Sequence, residues 1–261
     1  MPKLYAMPSA AARWLAALAL LTPYAGAQPT QPLNDTGQAQ CHDGAALAAC
    51  AIANTGSAAA YPGQDGRFGR DAAYVHGSPV PKTGGGAAGF DFSALDAGGN
   101  ATAPGGHDCV RDNATGLTWE VKQNGGTSQL RYEGHLYTWY DSSASHPGSQ
   151  SSQTGLACHG TLPGNLCNTQ AYVNAVNAAG LCGKTDWRLP TRRELLSIVH
   201  YGAHDPAIDT AYFPSTAPYW WTSDSYAPDP LHAWSVNFTT GNSSAGEKTD
   251  VFSIRLVRSG P

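Results

Sequence analysis

Six cysteines set the tightest limit on how this chain of 261 residues folds. They are Cys41, Cys50, Cys109, Cys158, Cys167 and Cys182. All of them follow an N-terminal segment with the features of an export signal, and an even count of cysteines in an exported chain indicates three disulfides. Zinc binding is the alternative, and it is disfavoured because the sequence has no pair of C-x-x-C knuckles.

The export signal is predicted over residues 1–27. Lys3 and Arg13 precede an apolar run, and the segment ends in an A-x-A cleavage pattern at Ala25-Gly26-Ala27. The run is too short to span a bilayer, and no later segment of the sequence is long enough. We therefore expect an exported chain in the periplasm, on the cell surface or in the medium, with no membrane span after signal cleavage.

The spacing of the cysteines favours two local disulfides. Cys41 and Cys50 enclose a short loop, and Cys158 and Cys167 end a loop rich in Ser and Gly. The remaining pair, Cys109 with Cys182, would join a strand to a junction between helices. Parity alone does not fix this connectivity.

Charge and composition exclude some classes of function. The net charge is −4 and becomes more negative when the signal leaves, which disfavours a nucleic-acid binder because such proteins carry a basic surplus. The chain has 30 Gly and 18 Pro but only 13% charged residues. This composition favours short strands and long loops around aromatic anchors, with disulfides offsetting the entropy of the loops.

Two helices are predicted. Thr169 is a candidate cap for a helix over residues 170–179, which Gly180 would end. Thr191 and Glu194 have the spacing of a capping box that starts a second helix. The apolar face of this second helix would consist of Leu195, Ile198 and Val199, and Gly202 would end it.

Strands are predicted from alternating apolar residues. Leu117, Trp119 and Val121 alternate after a turn. Segments 219–225, 232–241 and 251–260 predict a C-terminal antiparallel meander, with the segment between the last two as a hairpin loop. Residues 28–108 are rich in Gly and Ala and poor in periodicity, so we expect an irregular N-terminal extension with a local cysteine pair, followed by a domain over 109–261.

Several separate blocks, in order along the chain, together resemble the Lcl C-terminal domain family, also called domain of unknown function 1566. The blocks are CVRDNATGLTWEVK (109–122), NTQAYVNAVNAAGLCGKTDWRLPTRRELLSIVHYG (168–202), YWWTSDS (219–225), AWSVNF (233–238) and IRLVRSG (254–260). The resemblance implies an α+β fold of the C-type-lectin-like superfamily, with two helices, short and mostly antiparallel strands, long loops and disulfides.

The resemblance also implies a function. The family takes its name from the C-terminal region of a bacterial collagen-like adhesin, a region associated with attachment and with binding sulfated glycosaminoglycans. We therefore expect a non-catalytic binding or adhesion domain that recognises glycans or a surface protein. The alternatives are a structural module of a cell-envelope assembly and an enzyme of unknown type. The collagen-like repeat of the adhesin is absent from this sequence, so no collagen-driven trimer is implied.

Arginines and aromatic rings are the candidate ligand contacts, because sugars stack on rings and arginines pair with sulfate or carboxylate groups. The candidates are Arg192, Arg193, Trp220, Trp221, Tyr226 and Arg258. Trp220 and Trp221 are adjacent on a strand and face opposite ways, so at most one is expected in the core of a one-sided sheet. Arg188 is expected to be partly buried and paired, with Arg192 and Arg193 more exposed.

Metal and catalytic sites are not expected. A calcium lectin needs clustered carboxylates and amides, and the stretch around Asn237 has no carboxylate. Asp224, Asp229 and Asp250 leave calcium open as a minor alternative, and no other cofactor is expected. No G-x-S-x-G motif occurs, so no catalytic residue is assigned.

Overall fold

The structure, a computed structural model, describes residues 34–42, 44–50, 63–72, 80–142, 157–214 and 216–260. The predicted signal peptide, residues 1–27, lies outside the described residues. All described residues fall in one unit, Gln31–Pro261. Among them, no helix is long and apolar enough to cross a bilayer.

Ten short strands occur in the described residues. They are β1 (Gln40–His42), β2 (Leu47–Ala49), β3 (Phe92–Leu95), β4 (Ala101–Thr102), β5 (Cys109–Asp112), β6 (Leu117–Glu120), β7 (Tyr219–Ser225), β8 (His232–Asn237), β9 (Ser243–Glu247) and β10 (Val257–Ser259). They form a β1-β2 hairpin, a five-stranded sheet of order β10-β6-β5-β3-β4, and a three-stranded sheet of order β7-β8-β9. Every pairing between these strands is antiparallel.

The five-stranded sheet extends N-terminal to residue 109, where the domain was expected to begin. Strands β3 and β4 belong to this sheet although they lie in the segment expected to be irregular. Phe90 and Phe92 have at most 1% of their surface exposed. The Asp91 carboxylate accepts hydrogen bonds from the amides of Thr83 and Gly84, which gives this Gly-rich segment a fixed path without a periodic pattern.

The C-terminal meander is confirmed for β7 and β8 and corrected after them. The third strand is β9, in the segment expected to be a loop, and it pairs with β8 through backbone hydrogen bonds. Its sequence, SSAGE, lacks an alternating apolar pattern because Gly246 lies against the ring of Phe252, where a Cβ would be 2.7 Å from a ring carbon. The chain then leaves the meander, and β10 pairs with β6 in the other sheet.

The first helix, α1 (Thr169–Ala179), matches the prediction except at its cap. Asn168 is the N-cap, and its side chain accepts from the Ala171 amide at 2.9 Å. The Thr169 hydroxyl instead donates to the Tyr140 carbonyl at 2.6 Å and accepts from the Tyr140 amide at 2.8 Å. Thr169 therefore fixes the neighbouring loop to the helix, while Gly180 ends the helix as predicted.

The second helix, α2 (Arg192–Leu196), begins with the predicted capping box between Thr191 and Glu194. It ends several residues before the expected Gly202, since Ser197 is the C-cap and its hydroxyl donates to the Glu194 carbonyl at 2.6 Å. Three apolar residues are buried as predicted: Leu195, Ile198 and Val199.

Both faces of the sheets are buried. One core contains Trp119, Trp220 and Leu195, and the other contains Trp221 together with Tyr172 and Val176 of α1. The two helices thus contribute to different cores. Trp220 and Trp221 face opposite ways as predicted, but both are fully buried because this sheet is not one-sided.

All three disulfides join the expected cysteines. Cys41 pairs with Cys50, Cys109 with Cys182, and Cys158 with Cys167. The Cys109–Cys182 disulfide attaches β5 to the turn that follows α1. The α+β class with two helices, short antiparallel strands and disulfides is confirmed for the described residues, while the C-type-lectin-like arrangement remains a prediction.

Candidate functional site

Arg188 and Glu194 form a two-pronged ion pair beside α2. Arg188 Nη1 lies 2.8 Å from Glu194 Oε2, and Nη2 lies 2.6 Å from Oε1. Burial disfavours the charged carboxylate, but hydrogen bonds from Arg188 and Thr191 outweigh it and lower the pKa of Glu194. The prediction that Arg188 is partly buried and paired is confirmed, with 42% of its side chain exposed.

Arg192 is positioned by one contact of its backbone amide and one of its guanidinium group. Its amide donates to Asp224 Oδ2 at 2.6 Å, and its guanidinium carbon lies 4.0 Å above the Trp234 ring centroid. The Tyr226 ring packs edge-on to Trp234 at 5.1 Å. A stacked guanidinium keeps its edge open for hydrogen bonds, because stacking occupies only the planar face.

Arg193 is exposed on the next position of the helix. In the part of the chain that the structure describes, its guanidinium has no hydrogen bond or ion pair. We call this group the arginine corner; it comprises Arg188, Arg192, Arg193, Asp224 and Trp234. The prediction of greater exposure holds for Arg193, while Arg192 is half-buried under its stack.

Two concave surfaces meet at the arginine corner. The first, here called the groove, has a volume of about 450 Å³ and includes Tyr140, Gln170, Asn174, Arg188, Thr191 and Ser223 in its lining. The second, of about 410 Å³, is lined by Thr191, Arg192, Arg193, Asp224, Ser225 and Trp234. Thr191 belongs to both, so the two surfaces are contiguous at the start of α2.

Of the remaining candidate ligand residues, only Tyr226 packs against the arginine corner. Trp220 and Trp221 are fully buried in the two cores, so the expectation that they contact a ligand is corrected. Tyr226 is half-buried and reaches the corner through Trp234. Arg258 lies elsewhere, on β10, where its Nε is 2.7 Å from Asp186 Oδ1.

The sequence profile of the Lcl C-terminal domain family matches residues 108–258, more than half of the chain. The chain belongs to the Lcl C-terminal domain family. No curated protein and no solved structure matches it. The Lcl C-terminal domain family is not a known enzyme family. The matched range covers the arginine corner and all of the groove.

Within the described ranges, no group of three or more His, Cys, Asp or Glu residues is placed to hold a metal ion. The three aspartates considered for calcium have separate roles. Asp224 accepts from the Arg192 amide, Asp229 from the Leu231 amide at 3.0 Å, and Asp250 from the Glu247 amide at 3.0 Å.

One buried polar cluster in the Lcl C-terminal domain resembles a catalytic site in its residue types. Lys122 Nζ lies 3.1 Å from Glu120 Oε1 and 2.8 Å from the Tyr172 hydroxyl. Neither charged side chain has any exposed surface, and Tyr172 is fully buried as well. The cluster forms a buried polar contact between β6 and α1.

Sequence reasoning missed Trp234 as a site residue. Trp234 alternates with Val236 and Phe238, a pattern that puts the three residues on one face of the predicted strand. The structure buries the other two but leaves Trp234, the third residue of β8, half-buried under Arg192. No local signal pairs these residues, because 42 positions separate Arg192 from Trp234 in the sequence.

Proposed function

We propose that this chain is an exported, non-catalytic binding domain that recognises a glycan carrying sulfate or carboxylate groups at the arginine corner. The observation that carries the proposal is a stacked arginine, Arg192, next to Arg193, whose exposed guanidinium has no partner among the described residues. Three disulfides support export, because such bonds persist in oxidising compartments.

The chemistry of the corner suits an anionic group. A guanidinium presents planar N–H donors that match the oxygens of sulfate or carboxylate, and such charge-assisted bonds are about twice as strong as neutral ones. The stack of the Arg192 guanidinium on Trp234 restricts its movement before a ligand arrives, and the hydrogen bond from the Arg192 backbone amide to Asp224 fixes the main chain at this point. Less side-chain entropy is then lost on binding.

The groove adds room for the sugar ring. Its volume of about 450 Å³ lies in the range of small-molecule sites. Tyr140 is a half-buried ring in its lining, the exposed Asn174 provides an amide group for hydroxyls, and Asp141 is the one carboxylate among the lining residues. A saccharide in the groove would place a charged substituent next to Thr191, where the arginine corner begins.

The assembly-module alternative depended on exposed aromatic faces. Five tryptophans, Trp119, Trp139, Trp187, Trp220 and Trp221, have 2% or less of their surface exposed and so cannot form such a face, although Phe68, Tyr201 and Tyr219 are 41–47% exposed. The enzyme alternative would need titratable groups in an open cavity, and the Glu120–Lys122–Tyr172 cluster has no exposed surface.

The test is a glycan array followed by calorimetric titration with a sulfated oligosaccharide and its desulfated counterpart. We expect the sulfated oligosaccharide to bind. Arg193→Gln should lower the affinity for it about tenfold, because a charge-assisted hydrogen bond contributes roughly 1.5–3 kcal/mol. Lys82→Gln, a change of the same charge at a residue that lines neither the groove nor the surface beside it, is the matched control. Absence of binding to any glycan, together with a stable oligomer in light scattering, would contradict the proposal and favour an assembly module.

A further inference from the structure

A second basic pocket lies at the five-stranded sheet, away from the arginine corner. It has a volume of about 390 Å³ and is lined by Leu95, Gly98, Gly99, Arg111, Thr118, Cys182, Gly183, Lys184, Trp187 and Arg258. Three of these residues are basic and none is acidic. In a chain with a net charge of −4, such a local excess of positive charge attracts anions.

The sheet register places two of the arginines on one face. Arg111 of β5 lies opposite Thr118 of β6, and Thr118 lies opposite Arg258 of β10. Directly opposed residues of antiparallel strands project to the same side of the sheet. Arg111 and Arg258 therefore flank the Thr118 hydroxyl in one row across three neighbouring strands, and this row forms the floor of the pocket.

The two arginines differ in how they are held. Arg258 is 7% exposed and is fixed by Asp186, through Nε at 2.7 Å and Nη2 at 3.2 Å, and by the Gly260 carbonyl at 2.7 Å from Nη1. These contacts use three of the five guanidinium N–H groups. Arg111 is half-buried, and among the described residues its guanidinium has no hydrogen bond or ion pair.

The acidic groups near the pocket are already engaged. Asp186 pairs with Arg258 as described, and its pKa is lowered chiefly by that hydrogen bond. Asp96 lies in the turn beside Gly98, where its carboxylate accepts from the amides of Gly98 and Asn100 at 2.9 Å each. Neither carboxylate lines the pocket, so none of the lining residues can act as a counterion for Arg111.

The walls of the pocket are two turns in close contact. Gly99 has a φ of +83°, and a Cβ there would lie 2.7 Å from the Cys182 carbonyl oxygen. Cys182 is in turn bonded to Cys109 at the start of β5. The disulfide and this close backbone approach fix the wall against the sheet that carries Arg111, so the pocket is formed before any ligand binds.

We infer that this pocket is a binding site for a small oxyanion, held between Arg111 and Arg258 with the Thr118 hydroxyl and Lys184 as further donors. The ligand chemistry is a sulfate, phosphate or carboxylate group, free or at the end of a larger molecule. The site is separate from the arginine corner and does not depend on the function proposed for it.

Calorimetric titration of the full mature chain with inorganic sulfate, inorganic phosphate and glucuronate tests the inference and separates tetrahedral anions from a carboxylate. We expect saturable binding of at least one probe. Arg111→Gln should weaken it about tenfold or more, because it removes charge-assisted donors, and Lys184→Gln should weaken it less. Lys82→Gln, which removes a positive charge outside both sites, is the matched control and should leave binding unchanged, while Arg193→Gln shows whether the probe binds at the arginine corner instead.

Two results would overturn the inference. One is the absence of saturable binding for all three probes; the other is binding that survives both Arg111→Gln and Lys184→Gln. Lys184 is exposed, so its variant reports on the pocket even where the Arg111 variant unfolds. Loss of anion binding in Arg193→Gln alone would assign the anion to the arginine corner and would leave the function proposed there standing.

Discussion

The Lys122 ammonium lies 3.1 Å from the Glu120 carboxylate, and neither side chain has exposed surface. The same carboxylate accepts from the Tyr172 hydroxyl and, at 2.9 Å, from the Leu256 amide. Burial lowers the pKa of Lys122 to about 8, although Glu120 opposes this shift. One carboxylate thus connects β6, α1 and the segment that leads into β10.

We predict that Lys122→Met destabilises the domain by about 3–5 kcal/mol, because it leaves the Glu120 charge buried without its cation. The Glu120→Gln/Lys122→Met double variant should recover part of this loss. Urea denaturation measures both, with the exposed Lys184→Met as the control. A cost below about 1 kcal/mol for Lys122→Met would contradict the prediction, since surface substitutions usually remain within about 0.5 kcal/mol.

The Arg188–Glu194 pair predicts a loss of stability in acid. Glu194 has a pKa below its ordinary value of 4.5, so the pair stabilises the fold above that value and stops doing so as the pH falls through the folded-state pKa. Glu194→Gln should therefore cost about 1–2 kcal/mol at pH 7 and much less at pH 3. Thermal melts at both pH values check this, with the exposed Glu247→Gln as control. An equal cost at both pH values would refute it.

The disulfides differ in the length of chain they close. Cys109–Cys182 spans 73 positions and Cys41–Cys50 spans 9. The chain-entropy model gives about 4 kcal/mol for the longer loop and about 2.5 kcal/mol for the shorter one. We expect the Cys109→Ala/Cys182→Ala variant to lose more stability than the Cys41→Ala/Cys50→Ala variant in guanidinium unfolding. The opposite order would count against this interpretation.

Gly99 is predicted to tolerate no side chain. Gly99→Ala adds a contact with the Cys182 carbonyl to the cost of a positive φ, whereas Gly106 has a similar φ of +76° and nothing within 4 Å. Gly106→Ala should therefore cost about 1 kcal/mol and Gly99→Ala roughly 1–3 kcal/mol more. The difference in melting temperature between the two variants measures the cost of the contact with the Cys182 carbonyl, because the cost of the positive φ is common to both. Equal melting temperatures would show that the turn moves away without cost.

Local patterns predicted the features that depend on neighbouring residues. The capping box at Thr191 and Glu194, the helix stop at Gly180 and the buried face of α2 follow from spacing within one or two turns of chain. The disulfide pairs were also predicted, because pairing the cysteines that lie close in sequence leaves only Cys109 and Cys182 for the third bond. Asn168 displaced Thr169 as the cap because the Thr169 hydroxyl binds Tyr140, a tertiary contact that spacing does not reveal.

Features that depend on distant chain segments were not predictable. The burial of both Trp220 and Trp221 requires knowledge that each face of their sheet is covered. The stack of Arg192 on Trp234 joins two elements far apart in sequence, and the row of Arg111, Thr118 and Arg258 depends on the register of three strands. Such registers are set by the fold as a whole rather than by any single segment.

The uneven burial of the tryptophans gives the protein an intrinsic optical reporter. In the described ranges five indoles are sealed in the cores, and Trp234 alone is half-buried, next to Arg192. Once the predicted signal segment, which contains Trp14, is removed, fluorescence quenching by added iodide or acrylamide should therefore sample Trp234 almost exclusively while the protein is folded. A ligand that covers the arginine corner will protect that emission, and one that enters the Arg111 pocket will leave it unchanged.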